Sequence, residues 1–181
     1  MTMLPRLITP RLHLTPVNGA DLPDLIALKA DPRVFTMMLD GVRTPQQAME
    51  ELARDVAAWG ADGFGLWAVR ERDTTSFAGI AGLQRRADGR GIALRFALWP
   101  EAQGRGLARE AAGAALRFGH GEVGLDRIVA IARADNFASR TVLGSIGMRE
   151  CERFRRNGWP MVVYESLSHS PGCAAPAGVW R

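Results

Sequence analysis

A predicted strand that runs directly into a glycine-rich helix start is the feature that most constrains the fold of this chain. The apolar run Leu94–Trp99 ends before a proline and indicates a buried strand. The next helix is expected to begin within residues 103–108, which read Gln-Gly-Arg-Gly-Leu-Ala. The first turn of a helix presents unpaired backbone N–H groups and a positive dipole, which small residues open to an anion. The sequence therefore predicts a phosphate cradle built on Gly104, Gly106 and Ala108.

The spacing of these small residues decides which phosphate ligand they fit. The chain contains no Gly-Lys-Ser/Thr, so the Walker pattern is absent. The dinucleotide fingerprint needs a glycine at its last position, where this chain has Arg109. What remains is the pattern Q-x-x-G-x-A, carried by Gln103, Gly106 and Ala108. This pattern resembles the pyrophosphate-binding motif of the GNAT superfamily, the acetyl-CoA-dependent N-acetyltransferases. A glycine-rich turn that caps an ordinary helix is the alternative.

A second motif follows one helix and one strand later, in residues 136–148. It resembles the GNAT signature N-x-x-S-x-x-[VL]-[LY]-x-x-x-G-[FM], through Asn136, Ser139, Val142, Leu143, Gly147 and Met148. The start of the chain resembles the T-x-R-L-x-L opening of the ribosomal-protein N-terminal acetyltransferases and their relatives, through Thr9, Arg11, Leu12 and Leu14. Two signatures in the correct order are more specific than either alone, and the resemblance covers residues 9–167.

The remaining apolar runs and breakers predict the element order. Strands are expected at residues 8–15, 64–69, 77–83, 92–99, 127–132, 148–155 and 161–167, and helices at 22–30, 44–59, 104–118 and 136–147. The strand–helix–strand crossover around the cradle makes the fourth and fifth strands parallel. The resemblance implies an α/β (α+β) fold, a single GNAT domain with flanking helices. Its mixed, mostly antiparallel sheet has six to seven strands, of which strands 4 and 5 splay apart.

Composition limits the domain count and the classes of partner. A hydrophobic content of 47% in 181 residues predicts one domain, placed at residues 6–168, with a poorly ordered tail at 169–181. A formal charge of +4 with scattered arginines gives little support for nucleic acid, and the three histidines lie too far apart in sequence for a metal site. No apolar run is long enough for a signal peptide or a membrane span, which predicts a cytoplasmic protein without a membrane partner. The oligomeric state stays open between monomer and homodimer.

The resemblance implies where acetyl-CoA binds. Phe96, Ala97 and Leu98 would pair with the amides of pantetheine, which acts like an added strand in the splay. The pyrophosphate would lie on the N–H groups of Gln103, Gly104, Arg105, Gly106, Leu107 and Ala108. Asn136 would hydrogen-bond the pantetheine arm. Ser139, which also lies beside the cofactor, would be the catalytic residue that gives a proton to the departing thiolate. The alternative for Ser139 is an ordinary serine in the first turn of a helix.

Two departures from the family pattern leave the general base unassigned. Ala93 occupies the place of a glutamate on the fourth strand, and the only tyrosine, Tyr164, lies on the last strand. Glu101 and Glu165 are weak substitutes, and a chain of water molecules to solvent could serve instead.

The sequence thus indicates an acetyl-CoA-dependent N-acetyltransferase that acts on a primary amine, either a protein N-terminus or a small molecule. A GNAT module that binds acyl-CoA without turnover is the alternative. Three arginines bear on the acceptor: Arg85, Arg86 and Arg95 either favour an acceptor with a carboxylate or phosphate, or are solvated turn charges.

Overall fold

The computed structural model describes residues 4–168, in which one sheet is flanked by helices. The strands are β1 (Leu7–Ile8), β2 (Leu12–Pro16), β3 (Leu66–Glu71), β4 (Phe77–Arg85), β5 (Ile92–Leu98), β6 (Arg127–Arg133), β7 (Arg149–Arg156) and β8 (Trp159–Leu167). The helices are α1 (Leu22–Ala30), α2 (Pro32–Phe35), α3 (Pro45–Asp62), α4 (Leu107–Gly121) and α5 (Phe137–Ser145). The sheet order is β1-β2-β3-β4-β5-β6-β8-β7, and only β5 and β6 run parallel within it.

The mixed, mostly antiparallel sheet is confirmed, but the described part of the chain has eight strands instead of six to seven. The difference arises because a turn divides the predicted first strand. Pro10 has no N–H to give to a strand ladder, and the Thr9 N–H donates to the Leu12 carbonyl at 2.9 Å. The chain therefore folds back on itself, and Leu7 of β1 lies opposite Leu14 of β2.

The splay between the two parallel strands is confirmed as well. β5 and β6 share a single register pair, Ala93 with Val129. On their other edges, β5 pairs with β4 along its whole length, and β6 pairs with β8. Beyond Ala93, β5 therefore has no strand partner on the side of β6, and its backbone there is open to a strand-like ligand.

The two faces of the sheet bury different helices. Leu94 and Leu98 of β5 belong to the apolar cluster that contains α4, whereas Ala97 belongs to the cluster that contains α1 and α3. Because successive side chains of a strand point to opposite faces, Arg95 lies on the same face as Ala97. Arg95 therefore lies on the side of α3, away from α4.

The helix predicted at residues 22–30 is α1, and three corrections concern the other helices. The capping box of α3 is present: Thr44 Oγ1 accepts from the Gln47 N–H at 3.2 Å, and Gln47 Oε1 from the Thr44 N–H at 2.9 Å. The helix continues past its predicted end, because the left-handed residue that stops it is Gly63, at φ 74°. α4 begins at Leu107 and not at residue 104, and α2 was not expected. The tail predicted at 169–181 lies outside the described residues.

Candidate active site

The predicted cradle is a left-handed loop that leads into an uncapped helix. Gly104 and Gly106 have φ values of 71° and 77°, a conformation that residues with a Cβ rarely adopt. Gln103 fastens the loop to the end of β5, since its Nε2 donates to the Leu98 carbonyl at 3.0 Å. No side chain caps the N-terminus of α4 within the described residues. The first N–H groups of α4 are therefore left for an acceptor from outside the helix.

The charge of Arg105 is turned away from this loop. Its guanidinium forms a two-point ion pair with the Glu71 carboxylate, at 2.8 and 2.6 Å. The pKa of Glu71 is lowered mainly by this hydrogen bond. Arg105 can therefore contribute its backbone N–H group to the cradle, while its side chain connects the loop to β3.

A second contact, which we call the N-terminal latch, joins the Thr9–Arg11 turn to Glu110 of α4. Thr9 Oγ1 donates to Glu110 at 2.6 Å, and the Arg11 N–H and Nε donate to it at 2.8 and 2.7 Å. Arg11 Nη1 also donates to the Arg105 carbonyl at 2.7 Å. Partial burial would raise the pKa of Glu110, but these hydrogen bonds outweigh burial and the net pKa is lowered. The latch gives the T-x-R opening a structural role beside the cradle.

The second motif places Asn136 and Ser139 at the start of α5. Asn136 Oδ1 accepts from the Ser139 N–H at 3.1 Å and so caps the helix. The amide nitrogen of Asn136 and the hydroxyl of Ser139 form no hydrogen bond with other groups of residues 4–168. The amide nitrogen of Asn136 and the hydroxyl of Ser139 are therefore both free to donate to a ligand.

A cavity of about 730 Å³ lies between the splayed strands and α3, and we call it the central cavity. The β4–β5 turn, the loop after α2 and the end of β7 complete its wall. Among the predicted site residues, it brings together Phe96, Asn136 and Ser139. The others lie outside its lining, at the end of β5 and the start of α4: Ala97, Leu98, Gln103, Gly104, Arg105, Gly106, Leu107 and Ala108.

Sequence reasoning missed Asp55, which lines the central cavity from α3 and is only 5% exposed. Its carboxylate accepts no hydrogen bond within residues 4–168, and its nearest cation is Lys29 Nζ, at 3.9 Å. Burial raises the pKa of Asp55, although the positive charges of Lys29 and Arg95 oppose this. A signal was present, because Asp55 falls in the otherwise apolar helical stripe of Ala48, Leu52 and Trp59.

Asp55 lies next to a buried ion cluster that connects α1, α3 and the loop before α3. Lys29, the only lysine of the chain, donates to Glu51 Oε2 at 2.6 Å, and Arg43 Nε donates to Oε1 at 2.5 Å. Partial burial would raise the pKa of Glu51, but the hydrogen bonds from Arg43 and Lys29 lower it overall. Glu51 is therefore held ionised, and each of its two oxygens accepts a hydrogen bond. The oxygens of Asp55 remain free to accept one.

The acidic residues considered from sequence as bases lie elsewhere. Glu101 is 70% exposed at its side chain and bonds Arg33 at 3.3 Å, and Glu165 is paired with Arg127 at 2.8 Å. Neither lines the central cavity. The hydroxyl of Tyr164 accepts from Arg140 at 3.1 Å and is also outside the lining.

Two kinds of feature are absent from the described part of the chain. Within residues 4–168 no group of three His, Cys, Asp or Glu side chains converges as metal ligands. In the same range, no helix combines the length and the apolar character needed to cross a bilayer.

Several known proteins are similar to this chain in sequence or in structure. A family model described as an acetyltransferase (GNAT) domain matches residues 11–149. The uncharacterized protein YkkB of Bacillus subtilis is 27% identical over 168 residues, 91% of this chain and 97% of that protein. An acetyltransferase from Agrobacterium tumefaciens has a TM-score of 0.81 at 25% identity, over 92% of this chain and 96% of that chain. A spermidine N-acetyltransferase from Vibrio cholerae, in complex with CoA and spermine, has a TM-score of 0.73 at 18% identity, over 88% and 97%.

The family match extends over more than half of the chain and includes both the cradle loop and the 136–148 motif. The splayed parallel strands and the uncapped, glycine-rich start of α4 agree with that match. This chain belongs to the GNAT family of acetyltransferases.

Proposed function

We propose that the protein transfers the acetyl group of acetyl-CoA directly to a primary amine, on a protein N-terminus or on a small molecule. The observation that carries this proposal is the central cavity, which is lined on one side by Ser139 and Asn136 and on another by Asp55. A direct transfer needs a thioester and an amine in one space, with a base on the amine side. This cavity offers that arrangement.

The cofactor would lie along the open edge of β5. CoA is bound in the Vibrio cholerae relative. In this chain, the free N–H groups at the start of α4 suit the pyrophosphate, and the unpartnered stretch Phe96–Leu98 suits the amides of pantetheine. The Leu98 carbonyl already accepts from Gln103, so the remaining groups of that stretch carry the pairing. The free amide nitrogen of Asn136 would donate to a pantetheine carbonyl.

The reaction requires the removal of two protons from the acceptor nitrogen and the addition of one to sulfur. Asp55 would take the first proton, which converts the ammonium into the nucleophilic amine. The amine nitrogen then forms a bond to the acetyl carbon, and the bond from that carbon to sulfur breaks. The Ser139 hydroxyl would give its proton to the thiolate and take up the second nitrogen proton, which restores the hydroxyl, so the products are the acetylated amine and CoA thiol. Asp55 returns its proton to solvent.

A thermal-shift assay combined with free-thiol release tests this function. The protein is mixed with acetyl-CoA and a panel of amines and N-terminal peptides. Stabilisation by acetyl-CoA together with thiol release in the presence of an amine is the expected result. Stabilisation without release from any amine would instead support a GNAT module that binds acyl-CoA without turnover. The absence of stabilisation would contradict the assignment of the cradle.

A further inference from the structure

The charges of the central cavity are biased towards an anion. Its lining contains four carboxylates, Asp40, Glu51, Asp55 and Asp88. It also contains eight arginines, Arg43, Arg54, Arg85, Arg86, Arg90, Arg95, Arg155 and Arg156. A site for a polycation such as spermine needs an excess of negative charge, and this lining has the opposite balance.

Most of these arginines are already paired with a carboxylate of the protein and are not free to bind an anionic ligand. Five of the eight have a carboxylate partner: Arg43, Arg85, Arg86, Arg90 and Arg156. Within residues 4–168, no carboxylate lies within ion-pair distance of Arg54, Arg95 or Arg155. Arg54 and Arg155 are exposed to solvent, whereas Arg95 is partly buried in the middle of the sheet. Arg95 is thus the one arginine of this lining that is both withdrawn from water and without a counter-ion.

The position of Arg95 favours the acceptor and not the cofactor as its ligand. It lies on the face of β5 that is turned towards α3, opposite the face that packs against α4 and the cradle. Arg95 and Asp55 line the same central cavity, and the positive charge of Arg95 opposes the burial that raises the pKa of Asp55. A group bound at Arg95 would therefore lie close to the proposed base.

The chemistry of the free donors points to a carboxylate or a phosphate. Arg95 Nη1 donates to Gln84 Oε1 at 2.5 Å, and its other nitrogens have no protein acceptor within residues 4–168. A partly buried cation without a counter-ion is unfavourable, and an anion from a ligand relieves that cost. The planar guanidinium matches the two oxygens of a carboxylate or phosphate.

We propose that the acceptor is an amine that also carries a carboxylate or a phosphate, and that Arg95 binds this anionic group while the amine faces Asp55. This inference rests on the proposed N-acetyltransferase function and adds the class of substrate. It also separates Arg95 from the arginines at the β4–β5 turn: Arg85 and Arg86 are paired with Asp62 and Asp88 and form no part of the anion site.

The test measures thiol release with matched acceptor pairs that differ in the anionic group. O-phosphoethanolamine is paired with ethanolamine, and β-alanine with β-alaninamide, so the two arms distinguish phosphate from carboxylate. We expect kcat/KM to be at least ~10-fold higher for the anionic member of one pair. In Arg95→Gln this preference should disappear, because kcat/KM falls for the anionic member and stays within ~3-fold for the neutral one. CoA affinity should not change.

Two further variants control the test. Arg85→Gln removes a charge from the same cavity wall, but one that is already paired with Asp62, and it should keep the preference. Arg95→Lys keeps the charge without the planar fork and should restore part of the preference.

Four results would overturn the proposal: equal kcat/KM within each pair, an equal loss for both members in Arg95→Gln, the same loss in Arg85→Gln, or release with neutral amines alone. The last of these leaves the N-acetyltransferase function intact. If neither anionic nor neutral amines support thiol release, the proposed function is contradicted as well.

Discussion

Nζ of Lys29 lies 3.9 Å from Oδ2 of Asp55, and only 2% and 7% of the two side chains are exposed. The same ammonium donates to Glu51 at 2.6 Å. One buried cation therefore lies beside two carboxylates that both line the central cavity: Glu51, which accepts from Lys29 and Arg43, and Asp55, which accepts no hydrogen bond within residues 4–168. The positive charge of Lys29 opposes the burial that raises the pKa of Asp55.

The first prediction concerns this buried cation. Lys29→Met leaves Glu51 with Arg43 alone and Asp55 without its nearest cation. Since removal of one partner leaves a buried charge uncompensated, we expect the free energy of unfolding to fall by about 3 kcal/mol. Urea unfolding measures this. The control is Arg127→Met, which breaks a half-exposed pair with Glu165 and should cost at most about 1 kcal/mol. Similar losses in the two variants would contradict a special role for Lys29.

The second prediction is the pH dependence of activity. Burial raises the pKa of Asp55 above its ordinary value of 3.8, so the carboxylate becomes available as a base only above that raised pKa. We expect kcat/KM to decline on the acid side of the profile in the wild-type protein. Asp55→Asn should lower kcat/KM by at least ~100-fold and remove this acid limb. An unchanged acid limb in the variant would assign it to another group.

The third prediction applies the same shift to stability. Folded Asp55 keeps its proton to a higher pH than in the unfolded chain, so the folded state binds more protons in the interval above pH 3.8. The contribution of Asp55 to the free energy of unfolding therefore falls as the pH rises through its folded pKa. Asp55→Asn lacks this pH-dependent contribution. Its free energy of unfolding minus that of the wild type should therefore rise with pH over that interval. Urea unfolding at several pH values measures this, and a constant difference would contradict the shift.

The fourth prediction separates charge from backbone strain at the cradle. Gly106 has φ 77°, and an added Cβ would come to 3.4 Å from Arg11 Nη2. Gly106→Asn keeps a side chain of the same size without charge, and asparagine tolerates this conformation better than most residues. We expect Gly106→Asp to abolish CoA binding in calorimetry, since its carboxylate would face the pyrophosphate. Gly106→Asn should retain measurable affinity. Equal affinities in the two variants would show that charge at this position does not matter.

Local signals made most of the fold predictable. The Thr44–Gln47 capping box and the Asn136 cap each depend on residues three positions apart, which a sequence displays directly. The sequence limits the start of α4 only to residues 103–108, because a glycine-rich loop and the first turn of a helix can both offer N–H groups to an anion. Here Gly104 and Gly106 are left-handed, and the helix begins only after them.

The acceptor side of the site was less predictable because its contacts join distant parts of the chain. Asp55, Lys29 and Arg95 come from α3, α1 and β5, and no spacing rule connects them. The sequence also showed three equivalent arginines, Arg85, Arg86 and Arg95. Only their tertiary partners distinguish the two that are ion-paired from the one that is not.

The last prediction tests Ser139 as the proton donor to the thiolate. Its hydroxyl bonds nothing within residues 4–168, so Ser139→Ala removes no hydrogen bond from the fold, and the Asn136 cap uses only the Ser139 N–H. We expect turnover to fall by at least ~10-fold while CoA affinity stays within ~3-fold and the melting temperature is kept. The matched control is Ser145→Ala, near the other end of α5, whose hydroxyl bonds the Val142 carbonyl at 2.7 Å. It should leave turnover unchanged. Because the proton is needed only as sulfur departs, the loss in Ser139→Ala should appear in kcat and be smaller for thioesters whose thiol is more acidic. An equal loss with such thioesters would mean that Ser139 positions the cofactor and does not protonate it.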